Sequence, residues 1–103
     1  MIIVKSIELL CGGNNFANPS GLAVDKKNGL MYICDMNNRR IACFDFYSES
    51  IVTLGDLNRV NAEKRPKPLA VAFDNNRNLL MTDCENNLLW RFKSCLLYTS
   101  RCV

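Results

Sequence analysis

The sequence contains no histidine, and this absence excludes several kinds of chemistry from the chain. Serine–histidine–aspartate triads, histidine general bases and histidine metal ligands all require the imidazole ring. No Cys-x-x-Cys spacing occurs either, and the closest cysteine pair, Cys95 and Cys102, is seven residues apart, which argues against a zinc ribbon. We therefore predict no metal site and no small-molecule cofactor.

Long apolar runs are also missing. No run approaches the roughly 20 residues that a helix needs to cross a bilayer. The first residues, MIIVKSIELLCGG, are interrupted by Lys5 and Glu8 and lack the basic lead and cleavage site of a signal peptide. We expect no membrane partner, and a cytoplasmic location if Met1 is the true start. The net charge of +3 is too small to indicate nucleic acid or a membrane by itself.

Six cysteines are present, an even number that would permit disulfides. However, no secretory signal precedes them and several lie in apolar runs. This context favours reduced thiols that pack as small hydrophobic side chains.

Two segments of the chain, residues 18–45 and 67–93, resemble one another. Asp25 aligns with Asp74 at an offset of 49, and Asp35 aligns with Asp83 at an offset of 48. One residue has therefore been lost from the first turn of the second segment. A period of about 48 residues is typical of stacked structural repeats.

Each segment consists of short runs rich in β-branched and aromatic residues, bounded by Asn-Gly and Asn-Asn steps that favour tight turns. The predicted strands are Leu22–Val24, Leu30–Cys34, Ile41–Phe44, Ser50–Leu54, Leu69–Phe73, Leu79–Thr82 and Leu88–Phe92. An earlier run, Ile7–Cys11, ends at a glycine pair and is predicted to be the last strand of a preceding unit. Asp56–Lys64 is predicted to be a loop with at most one helical turn.

Runs such as LMYIC and LLWRF are apolar at nearly every position, which indicates sheets covered on both faces. Four-stranded antiparallel sheets stacked around an axis satisfy this condition. The predicted fold class is all-β, with two four-stranded antiparallel blades of an incomplete β-propeller. Tyr32, Phe73 and Trp90 are predicted to lie in its core.

These residues resemble the NHL repeat. The first segment has Pro-Ser-Gly-Leu-Ala-Val-Asp, then Leu-Met-Tyr-Ile-Cys-Asp, then Asn-Asn-Arg-Arg-Ile, and ends in an aromatic residue at Phe44. The second segment keeps Pro68, Asp74, Asp83 and Asn86 but has Ala70 in place of the glycine and two leucines in place of Arg-Ile. The resemblance implies an NHL-type propeller, which usually closes with about six blades, so the chain is interpreted as a fragment.

The predicted organisation has five parts. Residues 1–17 hold the last strand of a preceding blade and a connecting loop, 18–55 the first blade, 56–67 an inter-blade loop and 68–94 a partial second blade. Residues 95–103 leave two interpretations open, a fourth strand and a non-native tail.

Four residues are predicted to shape the turns, namely Asp35, Asn38, Asp83 and Asn86. A short acceptor such as aspartate can bind the backbone N–H groups of a turn, and the neighbouring asparagines tolerate a left-handed backbone. Asp35 and Asp83 could alternatively bind a hard cation such as calcium, but turn capping is the favoured interpretation.

Antiparallel order places the turns after Asp35 and Asp83 at the same end of the blades as the inter-blade loop. The candidate binding residues at this end are basic: Arg39, Arg40, Arg59, Lys64, Arg65 and Lys67. They face the acidic Asp35, Asp56, Glu63, Asp83 and Glu85, so the surface is mixed in charge.

The resemblance implies a non-catalytic scaffold that binds a protein or another macromolecule. One alternative is single-stranded RNA binding at the basic face, although these loops have few cations and no aromatic residue for base stacking. Another alternative is a fragment of a propeller enzyme. The resemblance includes NHL-like lyases that hold their metal with histidines, and since this chain has no histidine, such an active site would lie mostly outside it.

Overall fold

The structure is a computed structural model that describes residues 3, 6–12, 16–54, 57 and 64–93. Its seven strands are β1 (Pro19–Asp25), β2 (Leu30–Asp35), β3 (Arg40–Asp45), β4 (Ser50–Thr53), β5 (Pro68–Phe73), β6 (Leu79–Asp83) and β7 (Leu88–Phe92). A 3₁₀ turn, Met36–Asn38, joins β2 to β3. Each predicted strand of the two segments is present, within two or three residues at its ends.

The strands form two antiparallel sheets. Sheet A has the order β1-β2-β3-β4 and sheet B the order β5-β6-β7. This arrangement confirms the prediction of an all-β fold built from antiparallel blades. Where sheet A has four strands, the described part of sheet B has three, and the predicted fourth strand falls in residues 94–103, outside the described residues.

The register of the two sheets follows the sequence repeat. Pro19 pairs with Asp35 in sheet A, and Pro68 pairs with Asp83 in sheet B. The ladder is irregular immediately after each proline, because a bulge adds residues to β1 and β5. Beside these bulges the two sheets come close together, since a Cβ added at Gly21 of β1 would lie 2.9 Å from Leu69 O of β5.

The main core lies between the sheets. Its buried side chains are Tyr32, Cys34, Ile41, Leu57, Val71, Leu79 and Met81. Tyr32 of sheet A meets Phe73 of sheet B edge to face, with ring centroids 5.6 Å apart and an interplanar angle of 76°. As predicted, Tyr32 belongs to this core, and the partly buried Phe73 and Trp90 pack against it.

A smaller apolar cluster lies on the other face of sheet A. Ile33, Ala42 and Phe44 are buried there, and Cys11 and Phe16 pack against them from the segment that precedes β1. The central strands β2 and β3 of sheet A are therefore covered on both faces, as their nearly continuous apolar sequences require, whereas Leu22 and Val24 of β1 are exposed.

The structure differs from the prediction in the segment before β1. Residues 6–12 form no strand, although Ile7–Cys11 was predicted to be one. A strand needs a hydrogen-bonded neighbour, and none of the described strands pairs with this segment. The side chain of Ile7 is 95 % exposed. The assignment of residues 1–17 to a preceding blade stays a prediction. The predicted helical turn in Asp56–Lys64 lies mostly outside the described residues, which include only the buried Leu57 and the exposed Lys64 of this range.

Among the described cysteines, Cys11, Cys34, Cys43 and Cys84 are free thiols. Cys34 is buried, as the interpretation of packed thiols expects, whereas Cys84 is exposed because it lies in a turn. No helix within the described residues is long and apolar enough to span a membrane.

Candidate functional site

Three connections meet at one end of the two sheets. They are the turn Met36–Arg39 of sheet A, the turn Cys84–Asn87 of sheet B, and residues 64–67 before β5. We call this surface the loop face. Two backbone hydrogen bonds connect its segments: Asn37 N donates to Ala17 O at 3.0 Å, and Cys84 N donates to Lys67 O at 3.1 Å. The repeat therefore produces one continuous surface, and its structural centre is a pair of buried aspartates.

Asp35 ends β2 and is fully buried. Its Oδ1 accepts a 2.7 Å bond from Ala17 N, and its Oδ2 accepts bonds from Asn38 Nδ2 at 2.9 Å and Arg40 Nε at 2.6 Å. No bond joins its carboxylate to the backbone of the 3₁₀ turn. Asp35 thus fixes the turn through the side chain of Asn38 instead of through backbone N–H groups.

Asp83 ends β6 and has the equivalent position in sheet B. Its Oδ1 accepts backbone bonds from Lys67, Glu85 and Asn86 at 3.1–3.2 Å. Its Oδ2 accepts Asn86 Nδ2 at 2.9 Å and Trp90 Nε1 at 3.0 Å. Here the aspartate does bind backbone N–H groups of its own turn, and an indole supplies the donor that Arg40 supplies in sheet A.

Both aspartates are held in the ionised form. Burial alone would raise the pKa of Asp83, but the bonds from Asn86, Trp90 and Lys67 outweigh it and lower this pKa to about 2. Burial would likewise raise the pKa of Asp35, but hydrogen bonds from Asn38, Ala17 and Arg40, together with the charge of Arg40, lower it. At neutral pH each carboxylate is therefore a filled hydrogen-bond acceptor, which suits a structural anchor better than an acid or base.

The turn reversal occurs at a position that the asparagine pattern did not identify in the first repeat. Asn87 has the left-handed φ of 57°, as its residue type permits, but in sheet A the equivalent residue is Arg39, with φ of 49°. Asn37 and Asn38, which were predicted to tolerate this conformation, lie in the 3₁₀ turn instead. The left-handed residue comes four positions after each aspartate, and in sheet A the 3₁₀ turn occupies the three positions between them.

The side chain of Arg39 joins the two repeats. Its Nη1 pairs with the carboxylate of Glu85 and donates a 2.8 Å bond to Arg65 O. This bond to Glu85 raises the pKa of Arg39 and lowers that of Glu85. Arg39 therefore serves as a connection within the loop face, and its charge is largely balanced there.

Arg40 is also engaged. Besides its bond to Asp35, it donates a 3.1 Å bond to Thr53 Oγ1, and its guanidinium lies 5.6 Å from the ring centroid of Phe16. These contacts direct Arg40 along the edge of sheet A, away from the exposed part of the loop face.

The remaining predicted basic residues lie on the loop before β5. Lys64 and Arg65 are exposed and Lys67 is half-buried, while Arg59 lies outside the described residues. The structure thus brings Lys64, Arg65 and Lys67 together with the turn of Arg39. They give the loop face its exposed positive charge.

Sequence reasoning missed an ion pair at the opposite end of the sheets. Arg77 Nη2 lies 3.0 Å from Oδ1 and 3.1 Å from Oδ2 of the buried Asp25, so the β5–β6 turn is joined to the end of β1. Arg77 has φ of 65° and occupies the position of Gly29 in the first repeat, which has the same φ. The replacement of this glycine by an arginine is visible in the sequence. However, Asp25, with which Arg77 pairs, is 52 residues away and could not be identified from it.

No three histidine, cysteine, aspartate or glutamate side chains within the described residues come together as a metal site. The oxygens of Asp35 and Asp83 that could bind calcium accept the protein hydrogen bonds given above. Asp83 accepts from backbone N–H groups of its own turn, as the turn-capping interpretation expects, whereas Asp35 does not.

Comparison with known proteins gives one family. The NHL repeat matches residues 16–44, a span that begins at Phe16 and ends at Phe44 of β3. It contains the whole Asp35 network, from Ala17 to Arg40. No curated protein matches the chain.

Proposed function

Because residues 16–44 form an NHL repeat, we propose that the chain is a non-catalytic scaffold that docks a protein partner on its loop face. The observation that carries this proposal is the pair of equivalent anchors, Asp35 and Asp83, beneath one surface. Each anchor fixes a turn and leaves other side chains of the loop face exposed. A binding surface on rigid elements loses little conformational entropy when it is occupied.

The charge of the loop face indicates the chemistry of the partner. Glu85 balances Arg39, and the buried Asp35 is balanced by Arg40. The side chains of Lys64 and Arg65 are exposed on the loop before β5, and Lys67 is half-buried. A protein segment that presents carboxylates would complement this surface, since complementary charge increases the association rate and selects the partner.

A peptide array with acidic, neutral and basic peptides of equal length tests this proposal. We expect the full chain to bind the acidic peptides, and the variant K64E/R65E to lose at least tenfold in affinity. The control K26E/K27E makes the same charge change in the exposed β1–β2 turn, at the opposite end of sheet A, and should bind like the unmodified chain. Equal losses in both variants, or equal binding of all peptides, would contradict a partner site on the loop face.

Single-stranded RNA is the second candidate, and the same three basic residues favour it because they could contact successive phosphates. None of the described residues of the loop face is aromatic, so phosphate contacts would supply most of the affinity. Binding of a ten-nucleotide uridine RNA, measured between about 50 and 200 mM salt, separates the two candidates. A steep salt dependence that K64E/R65E weakens, without binding to acidic peptides, would favour RNA over a protein partner.

A further inference from the structure

The β1–β2 turn contains the single Asn-Gly step of the sequence, Asn28-Gly29. Asn28 is exposed in this turn, and Gly29 has the left-handed φ of 65°. A Cβ added at Gly29 would overlap the ring of Tyr47. A side chain at position 29 would therefore need both an unfavourable backbone conformation and a displaced tyrosine, so the turn is built for glycine.

A glycine in this position exposes the preceding asparagine to a spontaneous reaction, since asparagine is one of the chemically labile residues of proteins. The backbone nitrogen of the glycine attacks the side-chain carbonyl carbon of the asparagine, and no Cβ hinders its approach. A new C–N bond forms, and the side-chain nitrogen leaves as ammonia with the proton of the attacking nitrogen. Water then opens the succinimide ring and leaves either aspartate or isoaspartate.

The side chain of Asn28 is bound to the carboxylate that joins the two sheets. Asn28 Nδ2 donates a 2.8 Å bond to Oδ2 of the buried Asp25, and Arg77 Nη2 lies 3.0 Å from Oδ1 of the same carboxylate. Deamidation removes the donor on Asn28 and places a second carboxylate beside the buried one. Two carboxylates that share a site repel each other, so the reaction disturbs the environment in which Asp25 binds Arg77.

We propose that Asn28 is a modification site, at which deamidation of the folded chain weakens the connection between Asp25 and Arg77. Water is the only reactant besides the chain itself. The proposal goes beyond the proposed function, because the β1–β2 turn lies at the opposite end of sheet A from the loop face.

The second repeat provides a comparison within the same chain. Asn76 is exposed at the equivalent position of the β5–β6 turn, but Arg77 follows it in place of glycine. Asn78 holds Asp74 much as Asn28 holds Asp25, with a 3.0 Å bond from Nδ2 to Oδ2, and a leucine follows it. Exposure and bonding to an aspartate are thus matched in the two turns, whereas the glycine is present in the first turn alone.

Peptide mapping of the full chain after prolonged incubation at neutral pH tests the reaction. Digestion before aspartate releases residues 25–34, in which Asn28 is the only asparagine, and residues 74–82, which contain Asn76 and Asn78. Tandem mass spectrometry should show deamidation of Asn28 at least tenfold faster than that of either asparagine in residues 74–82. The rate in urea should be higher still, because unfolding releases the amide group from Asp25. A rate at Asn28 no higher than at Asn76, or a reaction confined to the unfolded chain, would overturn the proposal.

The structural consequence is measured with substitutions that need no incubation. Asn28→Ala removes only the hydrogen-bond donor, whereas Asn28→Asp also introduces the charge of the product. We expect Asn28→Asp to unfold at a lower temperature than Asn28→Ala, with a smaller difference at high salt because salt screens the repulsion. Asn76→Asp makes the same change in the equivalent exposed turn and should unfold like the unmodified chain. Equal unfolding temperatures of the two Asn28 variants, or an equal loss in Asn76→Asp, would overturn the effect on Asp25.

Discussion

Trp90 Nε1 donates a 3.0 Å hydrogen bond to Asp83 Oδ2, and this bond takes the place of the 2.6 Å bond from Arg40 Nε to Asp35 Oδ2 in the first repeat. Position 88 of the second repeat, which corresponds to Arg40, is a leucine. The donor has moved two residues along β7. The second repeat thus lacks the arginine of the first repeat at Leu88, but its aspartate still accepts a side-chain hydrogen bond from the neighbouring strand.

Replacing Trp90 by phenylalanine removes this donor and keeps an aromatic ring. We expect the free energy of unfolding to fall by about 1–3 kcal/mol, because a hydrogen bond to a buried charged group is lost. The pKa of Asp83 should rise towards its ordinary value. Urea unfolding and carboxyl-carbon NMR titration measure the two effects.

A second substitution sharpens this prediction. Leu88→Arg restores the arrangement of the first repeat and should recover part of the stability lost in Trp90→Phe. The same change in the unmodified chain should bring little gain, since Asp83 already has its donors. Additive effects of the two substitutions in a double-mutant cycle would contradict the equivalence of Trp90 and Arg40.

The all-β fold, the two repeats and the strand boundaries could be predicted because they depend on local signals. Apolar runs of strand length, Asn-rich turns and the spacing of Asp35 and Asp83 are all visible in the sequence. The side-chain networks could not be predicted in the same way. Glu85 and Arg39 are 46 residues apart, and their pairing depends on how sheet B packs on sheet A.

The candidate binding residues also show which features are visible in the sequence and which depend on the packing of the sheets. Composition identified a basic surface but could not show which cations were already engaged. Arg39 and Arg40 pair with carboxylates across and within the sheets. Ion pairing is a property of the packed sheets, so only the structure could show that these two of the candidate residues are engaged in this way.

Gly21 limits how closely the two sheets can pack. An alanine Cβ there would meet the backbone of β5, 2.9 Å from Leu69 O and 3.0 Å from Ala70 Cα, and backbone atoms cannot move aside cheaply. We expect Gly21→Ala to lower the unfolding free energy by about 1–3 kcal/mol. The adjacent Ser20→Ala removes only an exposed 2.7 Å bond to Leu69 O and should cost clearly less. Equal effects in thermal unfolding would contradict the steric explanation.

Two ion pairs join the repeats and should differ in strength. Asp25 is buried, so Arg77→Met leaves a desolvated carboxylate without its cation and should cost about 1.5–3 kcal/mol. The side chain of Glu85 is 47 % exposed, so Arg39→Met should cost at most about 1 kcal/mol. Chemical denaturation of both variants at low and high salt measures the difference. A larger loss for Arg39→Met than for Arg77→Met would contradict this ranking by burial.

The described cysteines should react with alkylating reagents in an order set by burial. Burial raises the pKa of Cys34 to about 11, which leaves almost no thiolate at pH 7.5. Burial also raises the pKa of Cys43. Cys84 lies exposed in its turn. Iodoacetamide labelling followed by peptide mass spectrometry should modify Cys84 well before Cys34, and prior unfolding in urea should abolish the difference. Early labelling of Cys34 in the folded chain would contradict its place in the core.

The stability of the chain should fall at acidic pH through the two anchors. The pKa of Asp83 is about 2 in the folded state and about 3.9 in the unfolded state, so the unfolded chain binds more protons between these values. The stabilisation, on the order of 2 kcal/mol for Asp83, is therefore complete above about pH 4 and is lost as the pH falls towards 2. Asp35, whose pKa is also lowered, adds to the loss in the same direction.

The variant Asp83→Asn isolates this effect from the other carboxylates. At pH 7 it should be less stable than the unmodified chain, because the amide accepts hydrogen bonds more weakly than the carboxylate and cannot accept at both atoms. As the pH falls from 4 to 2 the unmodified chain should lose its advantage, and the two unfolding free energies should converge. Urea unfolding at intervals across this range measures the convergence. Parallel curves would show that Asp83 ionises alike in the folded and unfolded chain, and that the carboxylate beneath the loop face is not the anchor its hydrogen bonds indicate.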